Sequence, residues 1–247
     1  MANTLYEEYE ISDKAISLDS YENMAEHYFE YVDSKPFNAY YERPATTSLI
    51  PNVQGKKVLD AGCAAGWYTQ WLLDKGAEVI ALDFSQRMIE MTTRRVGSRA
   101  RIIKADLNEP LSFIKSESID VIVSSLSLHY IEDWKVVLSE FNRILYKGGK
   151  LVISVHHPFM DYTVYNRDNY FATELLDDEW TINGEKFQVQ FYRRPISSII
   201  NSIIGANFTI DNVLEPMPIE QFKVERPEQY RKLTKKPQFL FLKASKQ

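Results

Sequence analysis

Three of the four histidines stand just beyond apolar runs. His129 follows Ile119 to Ser124, and His156 and His157 follow Lys150 to Val155. Imidazole titrates near neutral pH, so a histidine at a strand end can take a proton from a bound hydroxyl, thiol or acidic carbon. The bland alternative is that these rings hydrogen-bond loops or shape a pocket. A second chemistry is written upstream. Val58-Leu59-Asp60 runs into the small residues Ala61-Gly62-Cys63-Ala64-Ala65-Gly66, and Asp83 closes the next apolar run, Glu78 to Leu82. Small residues let the chain turn sharply and a ligand approach the backbone. The N–H groups of the helix that follows face the crevice, and an acid about 20 residues past the turn is placed to bind ribose hydroxyls. The combination reads as a nucleotide-type cofactor site. Arg43, Arg193 and Arg194 could each bind a carboxylate, but solvated surface charge is their expected fate. Cys63 is read as a small filler of the turn rather than a nucleophile. No metal site is expected.

The elements that must position these groups alternate. Strand-like runs at Val58, Glu78 to Leu82, Arg101 to Ala105, Ile119 to Ser124 and Lys150 to Val155 are separated by apolar-periodic segments. Ser85 caps one of these helices, with Met88, Ile89 and Thr92 on its inner face. Trp134, Val137, Leu138, Phe141, Ile144 and Leu145 form the stripe of another, which Gly148-Gly149 is expected to stop. Such alternation implies a parallel sheet. Upstream, Ser20 is read as the cap of a tyrosine-rich helix, and Pro44 starts another. Downstream the pattern changes. Glu179 to Ile182 and Phe187 to Phe191 alternate around Asn183-Gly184, a hairpin signal. A helix over Pro195 to Ala206, strands over Phe208 to Leu214 and Gln238 to Lys243, and a polar loop with Pro216, Pro218 and Pro227 complete the chain.

The 247 residues suffice for one domain with a sizeable core, or one with an insertion. A net charge of -5 argues against a protein that tracks nucleic-acid phosphates. The acidic start of the chain lacks an apolar signal core, and no apolar run is long enough to span a bilayer. Cys63 is the only cysteine, so no internal disulfide can form. These points favour a cytoplasmic location and no membrane partner.

VLDAGCAAG, VIALDFSQRMI, KADL, IDVIVSSLSLHYIEDW and LYKGGKLVISVHHPF occur in order between Val58 and Phe159. In these segments the chain resembles the class I S-adenosylmethionine-dependent methyltransferases, of the type 11-like group with small-molecule substrates. YENMAEHY and NAYYERPA are similar to the lids of that group. The resemblance implies an α/β fold: an open, doubly wound, seven-stranded sheet, mostly parallel, with an antiparallel last strand and helices on both faces. The hairpin becomes an insertion between strands five and six. A single domain over 1–247 is expected, with an N-terminal helical lid (1–50), a cofactor-binding core (51–159), a substrate-side insertion (160–195) and a closing helix with the last two strands (196–247).

The cofactor implied is S-adenosylmethionine. By position, Asp60, Ala61, Gly62 and Gly66, with Cys63 in the same turn, would hold its methionine part. Asp83 would take the ribose hydroxyls, and Phe84 and Met88 would pack on the adenine. Asp106 would accept from the adenine amino group, with Ala105 and Leu107 beside it. Ser125 and Leu126 would face the amino group, and Tyr28 and Arg43 would close over the cofactor from the lid. Ala64 stands where the family has its middle glycine, which is tolerable unless that position needs a positive φ. His129, His156 and His157 are the candidates for a base, His129 foremost because its strand tip faces the reaction centre in the family. The implied activity is methyl transfer to a small molecule by a monomer or homodimer. A nicotinamide oxidoreductase and a non-catalytic relative acting through a partner stay open as other readings.

Overall fold

The structure, a computed structural model, describes residues 6–13 and 15–247. Residues 1–5 and 14, part of the expected lid, lie outside the described residues. The sheet is built from β1 (Glu7–Glu8), β2 (Lys57–Ala61), β3 (Glu78–Asp83), β4 (Arg101–Lys104), β5 (Ile119–Ser125), β6 (Leu145–His156), β9 (Phe208–Leu214) and β10 (Phe239–Lys246), in the order β1-β4-β3-β2-β5-β6-β10-β9. The pairs from β1 to β6 are parallel, and β10 runs antiparallel between β6 and β9. Crossover helices between β2 and β3, β3 and β4, and β5 and β6 keep this sheet parallel.

Both faces are covered, and the strands show why. Leu59, Ile122, Leu151, Leu240 and Leu242 pack on one side with α5 (Trp134–Ile144) and α7 (Ile196–Gly205). Val58, Val121, Val123, Phe239 and Phe241 pack on the other with α2 (Arg43–Leu49), α3 (Trp67–Asp74), α8 (Glu220–Glu225) and α9 (Pro227–Leu233). Neighbouring residues point to opposite faces, and both faces are apolar, as a sheet buried on two sides requires. The hairpin β7 (Glu174–Ile182) and β8 (Glu185–Arg193) is a separate two-stranded sheet. Its turn residues Asn183 and Gly184 both have positive φ, as the tight hairpin turn demands. Ile182, Phe187 and Val189 pack against Tyr21, Met24 and Ala25 of α1 (Leu18–Tyr31), which also contacts α4 (Gln86–Val96).

Four expectations change. The sheet has eight strands, not seven. Two-residue β1 is held by side chains rather than by an apolar pattern: Glu7 takes Arg101 at 2.7 and 2.8 Å, and Tyr9 stacks on Phe113 at 4.0 Å. The first helix starts at Leu18, ahead of Ser20, whose hydroxyl donates instead to the Gln188 carbonyl of the hairpin. Gly148-Gly149 lies inside β6, where the pairing with β5 shifts register, and α5 has already ended at Ile144. The expected proline-rich loop carries α8 and α9. No described helix is long and apolar enough to cross a membrane.

Candidate active site

The ends of β2, β3, β4, β5 and β6 open into a cavity of about 540 Å3. The turn after β2 makes one wall. Gly62 has φ +84, and a Cβ there would lie 2.4 Å from Ser127 Cβ, so no side chain fits. The Gly62 and Cys63 N–H groups both donate to Leu82 O at 2.8 Å, which ties the turn to β3. Ala64 has a positive φ, 45, so the condition on its tolerance is not met. An L residue there costs roughly 1–2 kcal/mol. Two hydrogen bonds offset it: Ala64 N–H donates to Asp83 at 2.8 Å, and Thr92 donates to Ala64 O at 2.7 Å. Asp83 also accepts Ser85 N–H at 3.0 Å. Burial raises its carboxyl to about 6, against the pull of backbone donors at Ser85, Ala64 and Phe84.

Along the same rim, Asp106 accepts both the backbone and side-chain N–H of Asn108 at 2.9 Å, and Ser12 N–H at 3.1 Å. The N-terminal segment is thereby drawn across the cavity, where Ala15 and Ile16 line it. Glu42, just ahead of α2, is buried. It accepts hydroxyls of Thr46, Ser125 and Ser154 at 2.7, 2.8 and 2.7 Å on one oxygen, and Tyr68 at 2.7 Å on the other. Its neighbour Arg43 donates to Asp33 O and Val32 O at 3.0 Å, with its guanidinium 4.3 Å over Trp67.

The opposite rim comes from the hairpin and from α6 (Pro158–Val164). Asp178 accepts the Trp180 indole N–H at 2.9 Å, and Lys35 sits 4.9 Å over that ring. Burial lowers the Lys35 pKa, with Asp178 opposing. His129 and His156 stack at 4.3 Å, and both rings edge onto Phe191. Burial takes His129 well below the usual imidazole range, with His156 and Arg194 adding to the effect, and takes His156 down to about 4. Tyr130 shares a 2.6 Å hydrogen bond with Tyr21.

Of the residues singled out from the sequence, Tyr28, Arg43, Gly62, Cys63, Asp83, Phe84, Ala105, Asp106, Leu107, Ser125 and Leu126 line this cavity, as do His129 and His156. Asp60, Ala61, Gly66 and Met88 do not. Asp60 lies beneath the turn and accepts Thr69 Oγ1 at 2.6 Å, with burial raising its carboxyl to about 7. Met88 is fully buried among Tyr21, Met24 and Met91. His157 also turns away: its Nδ1 accepts Phe159 N–H at the start of α6, and its Nε2 meets Glu215 at 2.6 Å. The arginines are not solvated. Arg193 is buried, donating to the carbonyls of Asn169, Tyr170 and Ala172 and pairing with Glu174 at 2.9 Å. Arg194 is buried over Trp134 and donates to Ile131 O. Burial raises the Cys63 thiol pKa, as for an inert filler.

Residues 59–153 match the family model described as a methyltransferase domain. An uncharacterized protein of Haemophilus influenzae is 30% identical over 231 residues, covering 85% of this chain and 88% of that one. The crystal structure of an S-adenosylmethionine-dependent methyltransferase from Mesorhizobium loti superposes with a TM-score of 0.68 at 25% identity, covering 87% of this chain and 100% of that chain. This chain belongs to the class I S-adenosylmethionine-dependent methyltransferases. A malonyl-acyl-carrier-protein O-methyltransferase of Hamiltonella defensa is 35% identical over 106 residues, a match that spans 43% of this chain and 40% of that protein.

The residues present fit the methyltransferase cofactor. Asp83 keeps lone pairs for a diol after accepting two backbone N–H groups, and Glu42 and Arg43 put a carboxylate and a guanidinium side by side on the cavity wall. No sequence motif marks Lys35, Asp178 and Trp180, which line the cavity with Glu42, or Asp161 of α6 behind it. Glu42 had one legible signal: an acid directly beside Arg43 in the NAYYERPA segment.

Proposed function

We propose that this methyltransferase acts on a small-molecule acceptor, held between the hairpin and the histidine pair and attacking the methyl group in line. The observation behind the reading is that both rims belong to one cavity of about 540 Å3, a size suited to small ligands. When bound, the cofactor supplies a methyl group already activated on a sulfonium. The chain's share is holding and aligning. We assign Asp83 to the ribose hydroxyls, Phe84 to the adenine face, and Asp106 with Leu107 to the adenine edge. Gly62, Cys63 and Ala105 form the backbone wall. Tyr28, Arg43, Glu42, Ser125 and Leu126 take the amino-acid end. On the acceptor side Trp180, Tyr130 and Tyr165 exclude water, and Lys35 and Asp178 offer polar handles. The O-methyltransferase of malonyl-acyl-carrier protein matched over the core illustrates one acceptor class.

A panel of small hydroxyls, thiols, amines and acidic carbons tests this, with release of S-adenosylhomocysteine and acceptor mass as readouts. Turnover on one class, lost in Asp83→Ala, is expected. Methylation of a protein or RNA with no small acceptor turned over would contradict it.

A further inference from the structure

Behind the acceptor rim, four buried side-chain atoms lack a hydrogen-bond partner among the described residues: His129 Nδ1, His156 Nδ1, Asp161 Oδ1 and Arg194 Nε. All four residues line a second cavity of about 10 Å3. Buried polar atoms are nearly always satisfied, so each of these four calls for a nearby partner or a bridging water. They sort into two pairs. His156 Nδ1 lies 3.7 Å from Asp161 Oδ1. His129 is left with Arg194, whose charge is felt at its ring, and the small cavity has the room of about one water to join them.

We propose that Asp161 decides which nitrogen of His156 carries the ring proton and so makes His156 the base, while Arg194 holds His129 as a hydrogen-bond donor. Asp161 is then a positioning residue. The acceptor class follows: a group that reaches the site protonated, such as a hydroxyl, thiol or acidic carbon. This rests on the methyl-transfer reading above.

The chemistry is that of the two ring nitrogens, whose proton is placed by whatever the other nitrogen bonds. As a carboxylate, Asp161 accepts Nδ1–H, and the Nε2 lone pair is free on the far side of the ring. As a carboxylic acid, Asp161 donates to Nδ1, the ring proton sits on Nε2, and no base is presented. As the acceptor atom bonds the methyl carbon, the methyl–sulfur bond would break with its electron pair left on sulfur, the acceptor's proton would pass to Nε2, and the imidazolium would rest against the carboxylate. Guanidinium can only donate. Arg194 Nε–H therefore gives through water to His129 Nδ1 and fixes the His129 proton on Nε2. The stacked rings thus present one acceptor and one donor.

The charged and titratable groups around the pair set the pH of the switch. Burial raises the Asp161 carboxyl to about 8, with Arg193 opposing and Asp178 adding. His156 faces Asp178, Lys35 and His129, and Tyr165, just past the end of α6, stands near Asp161. Above about pH 8 the base is presented, and below it is withheld.

Long-range proton–nitrogen spectra of the full chain labelled at its histidines read each tautomer directly, without ligand. The ring proton of His156 should move from Nε2 to Nδ1 as pH rises through about 8, while His129 stays protonated on Nε2. In Asp161→Asn the side chain no longer titrates, so the His156 tautomer should not change as pH passes through about 8. A His156 that keeps its proton on Nε2 in the wild type would overturn the proposal, as would a crossover that survives in Asp161→Asn. If that variant does not fold, the wild-type titration alone decides. Calorimetry with S-adenosylhomocysteine separates the two claims: absence of binding to the wild type sinks the methyl-transfer reading and leaves the tautomer result to stand or fall on the spectra.

Discussion

Along the rim formed by the turn after β2, the cavity wall is main chain held by hydrogen bonds to one carbonyl and one carboxylate; along the rim formed by the hairpin, it is side chain held by burial. Gly62, Cys63 and Ala64 are fixed by Leu82 O and Asp83, within about one strand–turn–helix unit of sequence. Lys35, His129 and His156 come from separate elements and meet Asp178 and Trp180 of β7 only in the folded chain. A wall of the first kind tolerates few substitutions but fixes a ligand that varies little. The second can be changed residue by residue, which suits the partner that differs between enzymes.

Damage to the main-chain rim should therefore be the most severe. Gly62→Ala combines a left-handed backbone with a 2.4 Å clash on Ser127. It should cost roughly 2–5 kcal/mol in strain and overpacking, lower Tm by roughly 5–15 °C, and abolish cofactor binding. A variant that melts with the wild type would show that the turn has slack. Next comes Glu42→Gln, which removes a charge facing the cavity while keeping its shape. Affinity for S-adenosylmethionine should fall about tenfold, worth about 1.4 kcal/mol, with calorimetry as the measure. An unchanged affinity would assign Glu42 to the packing of Thr46, Tyr68, Ser125 and Ser154 alone.

The legible part of the molecule divides along the same line. The turn, Asp83 and the Ser85 cap could be read because their partners lie within a few dozen residues and follow strand and helix periods. His157 lies off the cavity because its partner Glu215 is distant in sequence and sits in an irregular segment, which no strand or helix period marks. Asp161 and Arg194 carry no period or motif; only the fold brings them to one small cavity. β1 was invisible for a similar reason, since two residues cannot show alternation and Arg101 supplies the pairing. Asp60 and Met88 sit in the right segments but face the core, since periodicity assigns a helix or strand more readily than it assigns a cavity.

The N-terminal segment joins the two rims, and it sharpens the comparison through dynamics. Ser12 N–H on Asp106 and Tyr9 on Phe113 are its anchors at the cofactor rim. Amide exchange between Tyr9 and Ile16 should slow when S-adenosylhomocysteine is added, as for a lid drawn from the low-stability end of the molecule. Equal rates with and without ligand would make it a fixed cap. The smallest effect is expected at Ala64, where φ is 45. Ala64→Gly removes the left-handed cost and adds glycine's entropy, for a net gain of about 0.5–1 kcal/mol and a Tm higher by roughly 1–4 °C. A lower Tm would mean that the Asp83 and Thr92 bonds already remove the strain.

The division of the cavity is tested most directly by titrating S-adenosylhomocysteine into the wild type, Asp83→Ala and Trp180→Ala in one calorimetric series, with NAD as control. The wild type should bind S-adenosylhomocysteine and give no heat with NAD. Asp83→Ala should lose tenfold or more, because charge-assisted hydrogen bonds are worth roughly 1.5–3 kcal/mol each, and Trp180→Ala should stay within about twofold of the wild type, a difference of less than about 0.5 kcal/mol. Equal losses in the two variants, or NAD binding in place of S-adenosylhomocysteine, would contradict the account.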